Sequence, residues 1–229
     1  MRTLLIVSHP DILESRSQQY FLTSIQDSEA VTIHHLEGQY PDGKIDVEKE
    51  QALLWQHDRV IFQFPLYWYS SPPLLKYWQD MVLEDGFAYG NKHVLAGKEF
   101  GLVIMIGVPR KEYQAGGNEL FSISELTKPY QAMANKVGMT YMKPLPIFQF
   151  AYMDDDQKMD ILTEYWQKLT MANDDSLQAR ETWMIEQLRN AFLTNENAAA
   201  TDTIGFAIDH MQEQRENMDQ LKMVLDDMN

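Results

Sequence analysis

Tyr67, Trp68 and Tyr69 follow Leu66 directly after an apolar, strand-like run over residues 59–64. A chain leaving a buried strand is ordinarily polar. Aromatic residues there offer flat faces to a flat ligand, or anchors for a subunit contact, and one stretch can serve both purposes. His9 closes the first apolar run, a position open to a plain strand-end histidine or to a ligand-binding one. Ser15 and Ser17 stand where a helix can begin. They can act as caps only, or the unpaired N–H groups of that first turn can form a phosphate site, with the helix dipole adding about 0.3–1 kcal/mol. No Gly-x-Gly-x-x-Gly and no P-loop lysine occurs, so a nucleoside triphosphate is not indicated. With no cysteine, disulfides, thiolate catalysis and cysteine-based metal sites are excluded. His34 and His35 alternate faces of a strand and read as its ordinary polar positions rather than as metal ligands.

The elements that position these residues follow from periodicity. Residues 3–8 form a continuous apolar run that suits a central parallel strand, and a helix capped by Ser15 follows. Residues 30–36 read as a second strand and 46–57 as a helix. The run before the aromatic loop is the third strand, and Pro72-Pro73 pre-sets the first turn of the next helix. Residues 100–106 are a fourth strand, followed by a polar loop over 110–119. A helix over 123–137 carries Pro129 at a turn or kink and stops at Gly138. Residues 139–142 and 147–148 supply a fifth strand, held to an edge or bulged path by Pro144 and Pro146. A helix led by Asp154–Asp156 runs to about Thr170.

Strand–helix alternation repeated five times implies an α/β protein with a five-stranded parallel sheet covered by helices on both faces. In such sheets ligands sit beyond the carboxyl ends of the strands. The loops after strands one, three and four are therefore the expected site: residues 9–18, 66–69 and 107–113.

The chain has 229 residues, 45% of them hydrophobic, and a formal charge of −15. That is long enough for one α/β domain with an appendage, and it argues against global disorder. The acidic field disfavours nucleic acid, because no local basic patch offsets it. No run approaches the length needed to span a bilayer, and the apolar start is too short for a signal segment, so a cytoplasmic protein without membrane insertion is expected.

The run from Phe64 through Pro-Leu-Tyr-Trp-Tyr-Ser-Ser-Pro-Pro-Leu-Leu-Lys-Tyr to Trp78, followed by Gly86-Phe-Ala-Tyr-Gly90, resembles the signature of the flavodoxin-like NAD(P)H:quinone oxidoreductases. The likeness is nearest to the compact bacterial branch that includes the ancillary oxidoreductase of glutathione-gated potassium efflux systems. Ser8-His9-Pro10 and Gly97-Lys98 also match, and the resemblance covers residues 1–172. It implies a flavodoxin-like doubly wound fold with a non-covalent flavin, FMN in this branch and FAD in the larger animal-type enzymes. By position, His9, Ser15, Arg16, Ser17 and Gln18 would hold the phosphate and ribityl chain. Leu66, Tyr67, Trp68 and Tyr69 would line the ring through backbone groups, and Met105, Ile106, Gly107 and Val108 would form a third wall. The resemblance further implies a homodimer, with Tyr89 reaching toward the partner's site, and a catalytic role for Tyr113 beside the flavin; a surface-loop tyrosine is the alternative. Two departures stand out. Gly107-Val108-Pro109 replaces a glycine pair or triplet, which costs one backbone donor, and the histidine that follows the tyrosine in animal-type enzymes is absent.

Residues 174–229 lie outside the resemblance and divide from a flavin-binding domain over 1–173. Leu177, Met184, Leu188 and Phe192 share one face of a helix over 177–193. Residues 195–202 read as a linker. Ile204, Ile208, Met211, Met218, Leu221 and Leu225 trace a near-heptad stripe on an acidic second helix, suited to packing on this subunit, on its dimer mate or on another protein. The expected activity is hydride transfer from NADPH or NADH to the flavin, then two-electron reduction of a quinone or similar acceptor. The alternatives are a regulatory flavoprotein subunit of a potassium efflux transporter and a flavodoxin-type electron carrier.

Overall fold

The computed structural model describes residues 1–194 and 198–227. β1 (Thr3–Val7), β3 (Arg59–Pro65) and β4 (Glu99–Ile106) are buried almost throughout, as apolar runs must be when both sheet faces are covered. β2 (Val31–His35) lies beside β1, while β5 (Thr140–Tyr141) and β6 (Leu145–Phe148) both pair with β4. All pairings are parallel, in the order β2-β1-β3-β4-β5 with β6 also on β4. The single fifth strand expected from sequence is therefore two short pieces. Pro144 and Pro146 cannot donate to a ladder, and the pairing to β4 lapses between Tyr141 and Leu145.

One face of the sheet packs Leu5, Val7, Ile61 and Val103 against Phe21 and Ile25 of α1 (Arg16–Ile25) and Tyr165 and Leu169 of α7 (Asp155–Thr170). Leu4, Ile6, Phe62, Phe100 and Leu102 point the other way. They meet a short α2 (Leu36–Gln39), α3 (Val47–Gln56), α4 (Pro73–Val82), and the pair α5 (Ile123–Leu126) and α6 (Lys128–Lys136). The helix expected over 123–137 is split at Thr127, because Pro129 can only occupy a first turn; Gly138 ends it at φ +77°. Ser15, Asp46 and Ser122 cap their helices through side-chain oxygens.

A buried carboxylate ties one face together. Glu50 accepts from Tyr40 Oη at 2.5 Å and Trp78 Nε1 at 2.8 Å, and its Oε1 lies 2.9 Å from His34 Nε2. With both oxygens engaged, the charge is tolerated at zero exposure.

The chain forms two compact units, Met1–Thr170 and Met171–Asn229. In the second, α8 (Leu177–Thr194) and α9 (Ala198–Asp227) pack against each other, with Arg215 Nη1 3.2 Å from Glu181 Oε2. The linker expected over 195–202 is corrected. Ala198, Ala199 and Ala200 are the strongest helix formers, and α9 begins with them; residues 195–197 lie outside the described residues. The near-heptad stripe is covered only in part. Ile208 is buried and Ile204 and Met211 are half-buried, whereas Met218, Leu221 and Leu225 are exposed, since α9 has 30 residues against 18 in α8. On α8, Leu177 is exposed and Met184 and Leu188 are half-buried; the side chain of Phe192 lies outside the described residues.

Candidate functional site

At the carboxyl ends of β1, β3, β4 and β6 a cleft of about 620 Å³ opens, within the size range of small-molecule sites. Its first wall is the β1–α1 connection. Ser15 caps α1 and its hydroxyl lies 3.5 Å from that of Ser17, so the first-turn N–H groups of Arg16 and Ser17 have no helical partner. His9 lines the cleft with its ring centroid 6.5 Å from that of Tyr67. Its Nδ1 accepts the Asp11 N–H at 3.1 Å, which leaves Nε2 to carry the proton of the neutral ring. Burial lowers the His9 pKa, against the pull of Glu37, and so favours that neutral form.

The second wall is the aromatic loop. Leu66 extends the ladder, its N–H donating to Met105 O at 2.9 Å. Tyr67 and Ser70 then exchange both backbone hydrogen bonds at 3.0 Å, closing a tight turn whose central residues, Trp68 (φ +46°) and Tyr69 (φ +64°), are left-handed. Such a turn favours Asn and Gly; large aromatics there carry strain of the kind that gathers at functional sites. Trp68 is 93% exposed. The Glu119 carboxylate beside Tyr69 raises the Tyr69 pKa.

The third wall is Met105, Ile106 and Gly107. A Cβ built on Gly107 meets nothing within 4 Å, so the missing side chain leaves open room.

The structure thus brings His9, Ser15, Arg16, Ser17, Leu66, Tyr67, Met105, Ile106 and Gly107 to one cleft. Other expected residues lie elsewhere. Gln18 is fully buried beneath it: Tyr165 Oη donates to Gln63 Oε1 at 2.8 Å and Gln63 Nε2 donates to Gln18 Oε1 at 2.6 Å, while Gln18 Nε2 finds no partner among the described residues. Val108 is half-buried and packs on the core. Tyr89 is half-buried with Lys136 Nζ 5.5 Å from its ring centroid. Tyr113 is not the surface-loop residue of the alternative reading. It is 8% exposed, because the turn at Arg110–Glu112 folds its ring back onto Phe148 at 6.1 Å. It borders a separate hollow of about 240 Å³ with Arg110 and Ser122. Burial raises its pKa, with Glu119 and Tyr69 adding to the shift.

A fourth wall was missed from sequence: Gln149, Phe150, Tyr152 and Lys158, between β6 and the second turn of α7. Gln149 is left-handed (φ +48°) and its N–H donates to Ile106 O at 2.7 Å. The rule that ligands lie beyond strand ends applied to this strand too, but the prolines that fragment it hid where it ends.

The donors fit a flavin mononucleotide. Arg16, Lys158, two serine hydroxyls and a helix N-terminus suit a phosphate. Leu66, Tyr67, Met105, Ile106 and Phe150, beside the room at Gly107, suit a flat apolar ring.

A parallel sheet in the order 2-1-3-4-5, with a cleft where the strand order reverses, defines a doubly wound α/β protein of flavodoxin type. The chain belongs to the Flavodoxin_2 family, described as a flavodoxin-like fold, whose model matches residues 1–169. It is 46% identical over 171 residues to the uncharacterized NAD(P)H oxidoreductase YdeQ of Bacillus subtilis (strain 168), covering 74% of this chain and 87% of that protein. A crystal structure of an NADPH-quinone reductase from P. pentosaceus superposes with a TM-score of 0.71 at 44% identity, over 74% of this chain and 98% of that one. General stress protein 14 from Treponema denticola, solved in complex with FMN, gives 0.68 at 33% identity, over 74% and 98%.

Proposed function

We propose that this protein is an FMN-dependent NAD(P)H oxidoreductase that reduces quinones or similar acceptors by two electrons. The observation that carries the proposal is one cleft with a cationic, serine-rich helix start on one side and a strained aromatic turn on another. The names borne by its relatives agree: two are NAD(P)H or NADPH oxidoreductases, and a third was solved with FMN.

In this reading Arg16, Lys158, the hydroxyls of Ser15 and Ser17, and the first-turn N–H groups hold the phosphate. His9 Nε2 donates a further hydrogen bond. Leu66 and Tyr67 flank the ring, and the Trp68 and Tyr69 N–H groups, which have no hydrogen-bond partner among the described residues, are held ready for its polar edge. The strained turn fixes these donors in advance, so no reorganisation is needed when charge develops. FMN, when bound, supplies acceptance of a hydride from reduced nicotinamide and delivery of two electrons to the acceptor. FMN is preferred to FAD because Arg16 at the start of α1, Lys158 of α7 and the Ser15 and Ser17 hydroxyls form one phosphate-sized cluster in the cleft. NADPH and NADH are both retained as donors.

The proposal extends to a cytoplasmic homodimer. Leu13, Trp68, Leu120 and Tyr152 are each at least 71% exposed, and a second copy would cover such apolar surface near the cleft. It also assigns the flavin chemistry to residues 1–173 and protein contacts to the helices of 174–229. Among the described residues no helix is long and apolar enough to cross a membrane. The test is to reconstitute the purified protein with FMN and measure NADPH and NADH oxidation against a panel of quinones. Turnover dependent on both flavin and acceptor is expected; a flavin-loaded protein inert to both nicotinamides would leave the electron-carrier and regulatory-subunit readings.

A further inference from the structure

Neither Glu37 nor His35 lines the cleft, yet both grip a residue that does. Glu37 sits in α2, directly after β2. Its Oε1 accepts from Ser8 Oγ at 2.6 Å and its Oε2 from the His9 N–H at 3.0 Å. His35 Nε2 lies 3.1 Å from His9 O and 3.3 Å from Glu37 Oε2. Both neighbours are acceptors, so His35 Nε2 must carry the proton and share it between them. The two peptide groups that flank the His9 α-carbon are therefore held at once, the N–H by Glu37 and the carbonyl by His35.

Glycine at 38 is part of the device. A Cβ there would stand 2.8 Å from His35 Nδ1, so the imidazole keeps its place only because residue 38 has no side chain. Burial pushes the Glu37 carboxyl upward, but bonds from His35, Ser8 and the His9 N–H hold it below the usual value, so it remains an acceptor.

We infer that Glu37 and His35 are positioning residues: they fix the His9 backbone so that its ring faces the cleft with Nε2–H as donor, and through His9 they tune affinity for the anionic ligand. The identity of that ligand as FMN rests on the function proposed above; the grip on His9 does not. The competing role is a plain staple between the ends of β1 and β2. The two roles differ in whether Glu37 acts through the His9 ring.

The experiment uses the full chain. In flavin-free protein, long-range nitrogen–proton NMR of the His9 ring should show the Nε2–H tautomer that the Asp11 N–H sets, and Glu37→Gln, by loosening the His9 backbone and with it the Asp11 bond, should mix the tautomers. FMN affinity, read by fluorescence quenching, should fall about tenfold in Glu37→Gln, the loss expected for one charge-assisted hydrogen bond. In a His9→Ala background the same substitution should change affinity by less than about twofold. Gly38→Ala leaves Glu37 in place and displaces only the His35 ring, so it should act in the same direction if Glu37→Gln folds poorly. An unchanged His9 tautomer in Glu37→Gln, or an equal loss of FMN affinity with and without the His9 ring, would overturn the inference. If the wild-type protein binds no FMN, the flavin reading fails and the tautomer arm alone decides.

Discussion

Arg16 and Lys158 place positive charge in the cleft of a chain whose formal charge is −15. Each is expected to hold phosphate by a charge-assisted hydrogen bond. Arg16→Ala and Lys158→Ala should therefore each weaken FMN binding about tenfold or more, measured by fluorescence titration of the flavin-free protein. Lys158 also lies 3.4 Å from Asp155 Oδ1, so its loss should be the smaller of the two. A second residue-scale expectation concerns the core. Glu50→Ala removes the acceptor shared by Tyr40, Trp78 and His34, and should cost about 3–5 kcal/mol in urea unfolding at pH 7. Burial raises the Glu50 pKa, but the His34 ring beside it and the bonds it accepts from Tyr40 and Trp78 bring it below the ordinary 4.5. A depressed folded value means that this stability is fully present above about pH 4.5 and lost as pH falls through the folded pKa, so the wild-type and Glu50→Ala midpoints should converge in acid. Much of the cleft at this scale was legible, because Ser15, Arg16, Tyr67 and Gly107 occupy motif or strand-end positions. Glu37 and Lys158 were not, since nothing in a single sequence brings position 37 to position 9, or position 158 to position 16.

The turn from Tyr67 to Ser70 and the fragmented edge strand show what periodicity reads well and badly at the scale of elements. Apolar runs gave β1, β3 and β4 to within a residue or so, because a strand buried on both faces leaves no room for polar side chains. The edge was harder. Pro144 and Pro146 signalled interruption without showing that two pieces would share β4, and Pro129 signalled a break whose place, Thr127, depends on the Ser122 cap that starts the preceding turn. The left-handed pair Trp68–Tyr69 had no sequence signal at all, since neither residue favours positive φ. Its strain predicts an opposing pair of effects. Trp68→Asn combined with Tyr69→Gly should raise the thermal midpoint of flavin-free protein by about 2–4 °C while weakening flavin binding. Calorimetry with a parallel FMN titration checks both; a lower midpoint would mean that the aromatics stabilise the turn.

Across the whole molecule, charge is unevenly shared. Residues 171–229 carry twelve acidic against four basic side chains, and α9 ends on the exposed Met218, Leu221 and Leu225. The relatives described above match about three quarters of this chain over 87–98% of their own length, and the proposed function places the flavin chemistry in the first unit. A chain ended after residue 173 should keep FMN affinity and turnover within about threefold if the two units act independently. A truncated chain that folds yet loses flavin would place the C-terminal helices in the chemistry. The central claim, that the cleft binds FMN and accepts hydride from a nicotinamide, is tested most directly by one anaerobic titration. The FMN-reconstituted protein, freed of unbound flavin, is mixed with NADPH or NADH while the flavin absorbance is followed. Bleaching at one equivalent of nicotinamide per flavin is the predicted result; a protein that stays colourless after reconstitution would contradict it.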